Sequence, residues 1–201
     1  IIFSQNLNFK RSDKIDSDIS FNIDKSLSNE EYKIIIDKNV FVTGGSYNAI
    51  SMAKSSLIQM FKLKNNETLI LPKSKIFDKP DSSYRGLMID LSRMWHDLES
   101  IRNVIDLASL YKIKYLQLHL SDDQAFVFPS DSFPNLPTPD RPYTKKDFIE
   151  LVEYAKIRGV TIVPEIDVPG HSRQFIETYP EIFDVNNGVK KSNVINIANE
   201  K

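Results

Sequence analysis

The sequence predicts an α/β chain in two parts: a small α+β domain over residues 1–80, then successive strand–helix units over residues 81–201. Three observations predict it. Short β-rich apolar runs alternate with stretches of helical periodicity. After Tyr84 the order is strand, helix, strand, helix, strand. Each of those three strands ends in a cluster of charged and polar residues.

In the first part, residues 1–30 are rich in Ser, Asn and Asp, and read as short strands or an irregular arm. Lys33–Ile36 and Val40–Thr43 are β-rich runs flanking the turn signal "DKN", which predicts a hairpin. From Tyr47 to Phe61, Ile50, Ala53, Leu57, Met60 and Phe61 recur at helical spacing, with Ser46 as N-cap. Thr68–Pro72 reads as a further strand and residues 73–83 as a linker.

In the second part, Gly86–Asp90 reads as a short buried strand. Leu98–Tyr111 reads as a helix burying Ile101, Val104, Ile105 and Ala108. Lys114–Leu120 is a strand, and residues 121–143 form a long loop with five prolines. Lys145–Arg158 is a helix with Phe148, Leu151, Val152 and Ala155 inward and Gly159 as its stop. Val160–Ile166 is the third strand, and a short helix follows from Ser172. This order implies parallel strands with right-handed crossovers. Two architectures fit, an open doubly wound sheet and the start of an eight-stranded barrel. The turn after the first strand, "DLSRMW", has no glycine and so no phosphate cradle. About 118 residues follow Ser83, against about 250 for a whole barrel, enough for three units.

The composition narrows the chemistry. Twenty-six Lys and Arg against 27 Asp and Glu give a formal net charge of −1, which offers nucleic acid or an anionic membrane no bulk attraction. With no cysteine, disulfides, thiolate metal sites and cysteine nucleophiles are excluded. No apolar run has the length of a membrane span.

The carboxyl ends of parallel strands line the active sites of such folds. Here they carry Asp90 and Arg93, then His119, Asp122, Asp123 and Gln124, then Glu165, Asp167 and His171. Singly, each has an ordinary explanation. Asp90 can cap a helix, Arg93 can pair with a neighbouring acid, and Asp123 can cap a turn. His119 can be a satisfied core histidine, and His96 a surface loop residue. Their joint placement is the signal. Three chemistries can use it: a divalent metal on Glu165, Asp167 and a histidine, a carboxylate–histidine pair behind a general acid, or a polyol site.

Three motifs, "YRGLMIDLSRMW", "YLQLHLSDDQAF" and "VTIVPEIDVPGHS", in this order, resemble the opening of the catalytic barrel of the family twenty glycoside hydrolases, the β-N-acetylhexosaminidases. The resemblance runs from Tyr84 to Tyr179, and the preceding helix and "TLILP" are similar to the family's small α+β domain. It implies the first three β/α units of a (β/α)8 TIM barrel, incomplete in this chain. It also implies hydrolysis of terminal N-acetylglucosamine or N-acetylgalactosamine by substrate-assisted, retaining chemistry. Arg93 then corresponds to the arginine that binds sugar hydroxyls, for which a guanidinium fork is suited. Asp122 and His171 correspond to a pair supporting the catalytic acid, with Asp167 in the same polar shell. His119 and Glu165 become site-lining candidates, and Arg85 and Asp90 structural members of their motif.

The expected partner is a glycan or oligosaccharide ending in N-acetylhexosamine, with no metal or other cofactor, no nucleic acid and no membrane span. The family's Asp-Glu pair lies in a motif like "HIGGDE", which "NVINIANEK" does not match. The expectation is therefore an N-terminal part of a hexosaminidase, inactive alone, whose partner is the rest of the barrel or a second copy. An extracytoplasmic location follows from the resemblance. Gln117 and Ala125 depart from common family residues without removing a proposed ligand. Two other functions stay open: a metal-dependent barrel isomerase or hydrolase, and a non-catalytic sugar-binding homologue.

Overall fold

The computed structural model describes residues 19–65, 68–141, 143–185 and 192–198. It divides into two compact units, Ile1–Ser83 and Tyr84–Lys201.

The first unit contains β1 (Ile19–Ile23), β2 (Tyr32–Ile36), β3 (Val40–Gly44), α1 (Tyr47–Met60), β4 (Lys62–Asn65), β5 (Thr68–Ile70) and β6 (Ser74–Asp78). Strands β2 and β3 form the expected antiparallel hairpin, β1 lies parallel to β3, and β6 pairs antiparallel with β2. Strict alternation sends Tyr32, Ile34, Ile36, Val40 and Val42 to one face. There they join Ala49, Met52, Ala53 and Leu57 of α1 in one core. The Ser46 hydroxyl caps α1 by accepting the Ala49 N–H at 3.2 Å. Gly45 is required by a close approach: a Cβ there would fall on the Ser28 carbonyl.

Two readings of this unit need correction. Residues 73–83 are not simply a linker, because Ser74–Asp78 is a sheet-edge strand. Its one core residue, Ile76, packs beside β2, while Lys75 and Phe77 face outward, so the apolar signal is too sparse to read. "TLILP" is a three-residue strand whose partner, Lys62–Asn65, directly follows α1. Residues 1–18 lie outside the described residues.

The second unit contains β7 (Gly86–Asp90), α2 (Leu98–Leu110), β8 (Tyr115–His119), α3 (Lys145–Lys156), β9 (Thr161–Glu165), α4 (Arg173–Thr178) and α5 (Pro180–Phe183). The three strands form one parallel sheet in the order β7-β8-β9. Equal strand lengths and an unbroken register put Asp90, His119 and Glu165 side by side at the carboxyl end. Leu116 and Leu118 turn to the helix side, where Ile101, Ile105 and Ala108 of α2 and Leu151 and Ala155 of α3 close the core. Asp97 caps α2, and Thr144 and Asp147 form a capping box on α3. Gly159, at φ 72°, lets the chain leave α3 for β9. Among the described residues, no helix is long and apolar enough to cross a membrane.

Two further readings change. Gly86–Asp90 is a strand but not a buried one: Leu87 and Met88 are 45% and 52% exposed, and among the described residues β7 is a sheet edge paired only with β8. Val152 is not inward but 44% exposed, at the margin of the stripe formed by Phe148, Leu151 and Ala155.

Leu118→Ala, at a fully buried site, is expected to cost about 2–5 kcal/mol, whereas Val152→Ala stays within about 0.5 kcal/mol. Urea midpoints of the two variants check this. Equal losses would contradict the assignment of the core face.

Candidate active site

The site grows from the ends of the three parallel strands. After β7 the chain turns sharply, and Asp90 organises the turn. Its Oδ1 accepts the N–H groups of Ser92 and Arg93 at 3.0 and 2.9 Å. Its Oδ2 pairs with Arg93 Nη1 at 2.6 Å. Burial opposes the charge on Asp90, but the hydrogen bonds from Arg93 outweigh it and hold the carboxyl below its usual range. The other arm of the Arg93 fork, Nη2, pairs with Asp122. Arg141, from the long proline-rich loop, donates to the Ser92 carbonyl. Tyr143 donates to the His96 carbonyl and stacks with Trp95. Burial pushes the Tyr143 hydroxyl pKa up to about 12.

Asp122 is the hub. It is 2% exposed, and its Oδ2 faces three donors from three β/α units. These are Arg93 Nη2, His119 Nε2 at 3.3 Å and His171 Nδ1 at 3.2 Å. His119 is 4% exposed and bridges two carboxylates, because its Nδ1 lies 2.6 Å from Glu165 Oε1. Burial disfavours the imidazolium, yet the hydrogen bonds to Glu165 and Asp122 prevail and raise its pKa above the ordinary value. Gln117, two residues before His119 on the same strand face, donates to Glu165 Oε2.

Glu165 and Asp167 divide their roles. The hydrogen bond from Gln117 comes first in lowering the Glu165 pKa, against burial and with help from His119. Burial, then the neighbouring Glu165 carboxylate, raises Asp167. A proton on this pair therefore resides on Asp167. Asp167 donates its own N–H to Ser121 Oγ at 2.7 Å. The following turn, with a cis Val168–Pro169 peptide, presents His171 at φ 53° and half exposed. Its Nδ1 lies 3.2 Å from Asp122 Oδ2, and Nε2 is the ring's other nitrogen.

Arg93, Asp122 and His171 thus meet at one point, and His119 and Glu165 join them through Asp122. Asp167 lies with Glu165 and His119 rather than beside His171. Arg85 donates Nε–H to the Lys112 carbonyl at 2.9 Å, and its own carbonyl accepts from Lys114 and Tyr115, a structural position. The sequence assigned no site role to Gln117, Arg141 or Asn193. Only Gln117 had a local signal, its alternation with His119.

Among the described residues, two groups bring ligating atoms within 4.8 Å of one another: His119, Glu165 and Asp167, and Asp122, Asp123 and His171. In the first group both nitrogens of His119 already face carboxylates. In the second group, Asp122 already faces the Arg93 guanidinium.

Known proteins fit this geometry. Residues 82–200 match the glycosyl hydrolase family 20 catalytic domain. The chain is 30% identical over 191 residues to a beta-hexosaminidase of Vibrio furnissii, covering 84% of this chain and 31% of that protein. It is 39% identical over 133 residues to beta-hexosaminidase 3 of Arabidopsis thaliana, covering 63% of this chain and 25% of that one. The structure of a beta-N-acetylhexosaminidase from Bacteroides fragilis aligns with a TM-score of 0.79 at 29% identity, covering 88% of this chain and 38% of that chain. The chain therefore spans between about a quarter and two fifths of the length of these relatives. With the catalytic-domain match covering more than half of its residues, the chain belongs to glycosyl hydrolase family 20.

Proposed function

We propose that the protein of which this chain forms part is an exo-acting β-N-acetylhexosaminidase, removing terminal N-acetylglucosamine or N-acetylgalactosamine from glycans. The observation that carries this is the convergence of Arg93 and His171 on the buried Asp122 carboxylate. The exposed side of Arg93 supplies forked donors for adjacent sugar hydroxyls while Asp90 and Asp122 hold its orientation. Asp122 fixes the His171 ring, whose Nε2 then steadies the carboxyl that protonates the leaving oxygen. The sugar's acetamido oxygen attacks the anomeric carbon, an arrangement that dispenses with a carboxylate nucleophile. The Glu165–Asp167 pair and His119 form the charged floor beneath Asp122.

The family's acid Glu and acetamido-orienting Asp have no counterpart motif in residues 1–201. Met88 and Val163, 52% and 36% exposed on the strand face that bears Asp90 and Glu165, support a reading in which further β/α units cover that face. Asn199 and Glu200 lie outside the described residues. A metal-dependent hydrolase or isomerase has one observation in its favour, the approach of His119, Glu165 and Asp167. Activity abolished by a chelator and restored by a divalent ion would favour it.

A polypeptide of residues 1–201 is expected to give no turnover of a chromogenic N-acetylglucosaminide, whereas the full-length protein does. In the full-length protein, Arg93→Ala should raise KM about tenfold to a hundredfold, the size of charged hydrogen bonds at about 1.5–3 kcal/mol. His171→Ala should instead lower kcat up to about a hundredfold and shift the acid limb of its pH profile. A normal kcat and an unchanged profile would remove His171 from the mechanism.

The raised His119 pKa has a stability consequence of definite sign. The fold binds that proton more tightly than the unfolded chain does. The contribution is complete below the ordinary histidine value of 6.5 and is lost as pH rises through the folded value. Urea midpoints of the wild type should fall as pH is raised above 6.5, and His119→Gln should lack that limb. An identical limb in the variant would assign the titration elsewhere.

A further inference from the structure

We propose that Asp123 and Asn193 are positioning residues for His171, acting together as a clasp on the turn that carries it. The proposal rests on the hexosaminidase reading above, in which His171 supports the acid.

The turn needs holding. His171 stands at φ 53°, a left-handed conformation that a non-glycine residue adopts rarely and keeps only where its surroundings impose it. The two N–H groups that follow it are both fixed from outside the turn. Ser172 N–H is accepted by the Asn193 carbonyl at 3.0 Å. Arg173 N–H is accepted by Asp123 Oδ1 at 3.4 Å. Asp123 and Asn193 are then joined to each other, because Asn193 Nδ2 donates to Asp123 Oδ2 at 3.1 Å. On the preceding side, the Pro169 carbonyl accepts Ile195 N–H at 2.9 Å, and Ser172 Oγ donates to the Gly170 carbonyl at 2.8 Å. The turn is thus tied before and after His171, and the segment carrying Asn193 contributes to both ties.

The clasp also has a fixed base. Asp123 follows Asp122 directly, and the Asp122 carboxylate is the group that His171 Nδ1 faces at 3.2 Å. Asp122 Oδ1 accepts the Asp123 N–H at 2.7 Å, which couples the two side chains through the backbone. Asn193 is anchored two residues on, where Ile195 packs against the buried cluster of Phe126, Leu136 and Phe175. Phe126 and Phe175 come from the loop after β8 and from α4. One aromatic cluster therefore supports both partners of the Asp122–His171 contact. A wild-type geometry at His171 requires Asn193 to close the loop between them.

The test is a double-mutant cycle in the full-length protein that contains this chain. Wild type, N193A, H171A and the double variant are compared on a chromogenic N-acetylglucosaminide across pH. N193A should lower kcat on the order of tenfold and leave KM within about twofold, as a misplaced supporting group does. It should move the acid limb of the profile in the same direction as H171A. In the H171A background it should cost nothing further, because its effect passes through that imidazole. D123A removes the other half of the clasp and should behave as N193A does. If N193A does not fold, N193D keeps the size and the main-chain contact but sets a second carboxylate against Asp123, and the same cycle is run with it. Additive losses in the double variant, or a wild-type pH profile in N193A and D123A, overturn the proposal while leaving the hexosaminidase reading intact. A wild-type protein that does not hydrolyse the substrate overturns that reading, and the positioning role with it.

Discussion

One buried carboxylate oxygen orders this site. Asp122 Oδ2 meets an arginine from the first β/α unit, a histidine from the second and a histidine from the turn after the third strand. A carboxylate that is 2% exposed is costly to bury without such partners, and three donors on one atom remove that cost only while all three strand ends stay level. The unbroken parallel register provides the level, with Asp90, His119 and Glu165 as neighbours across the sheet. The helix-side core of Leu116, Leu118, Ile101 and Leu151 fixes that register, since a slip of one residue would exchange leucines for Gln117 and His119. Packing on one face of the sheet thereby sets electrostatics on the other.

The polar side is a connected chain rather than a collection of pairs. It runs from Asp167 through Glu165, His119 and Asp122 to His171 and Arg93. Burial and the neighbouring Glu165 carboxylate raise the Asp167 pKa, and two carboxylates raise that of His119 against its burial. This leaves Arg93 and His171 as the partly exposed ends.

Much of this was legible in the sequence where the signal is local. The helices showed their apolar stripes, and Ser46 marked the start of the first of them. The three strand ends, with their acids and histidines, identified the rim, and the quoted motifs tied it to a family. What could not be read depends on pairing between distant segments. Ser74–Asp78 is a strand because β2 offers it an edge, not because of its own pattern. Val152 lies at the margin of a stripe whose width is set by the neighbouring helix. Asp167 sits with Glu165 because residues two apart in extended chain share a side. Gln117 was legible in parity but was read only as a departure. Arg141 reaches the site from the proline-rich loop, and no spacing rule connects it or Asn193 to the site.

The parallel arrangement has a consequence for how the site comes into being. Parallel neighbours cannot be joined by a tight turn, so each strand pair must wait for a crossover that includes a whole helix. Asp90 and Asp122 are separated by one such crossover, and Asp122 and His171 by another. No fragment of local structure contains even one complete pair of the Asp122 cluster beyond the short His119–Asp122 contact. Loop closure must come before these contacts reward it, so the cluster belongs to the late steps of assembly. A nascent chain emerging from the ribosome would carry these acids and histidines as ordinary solvated groups until the third strand docks.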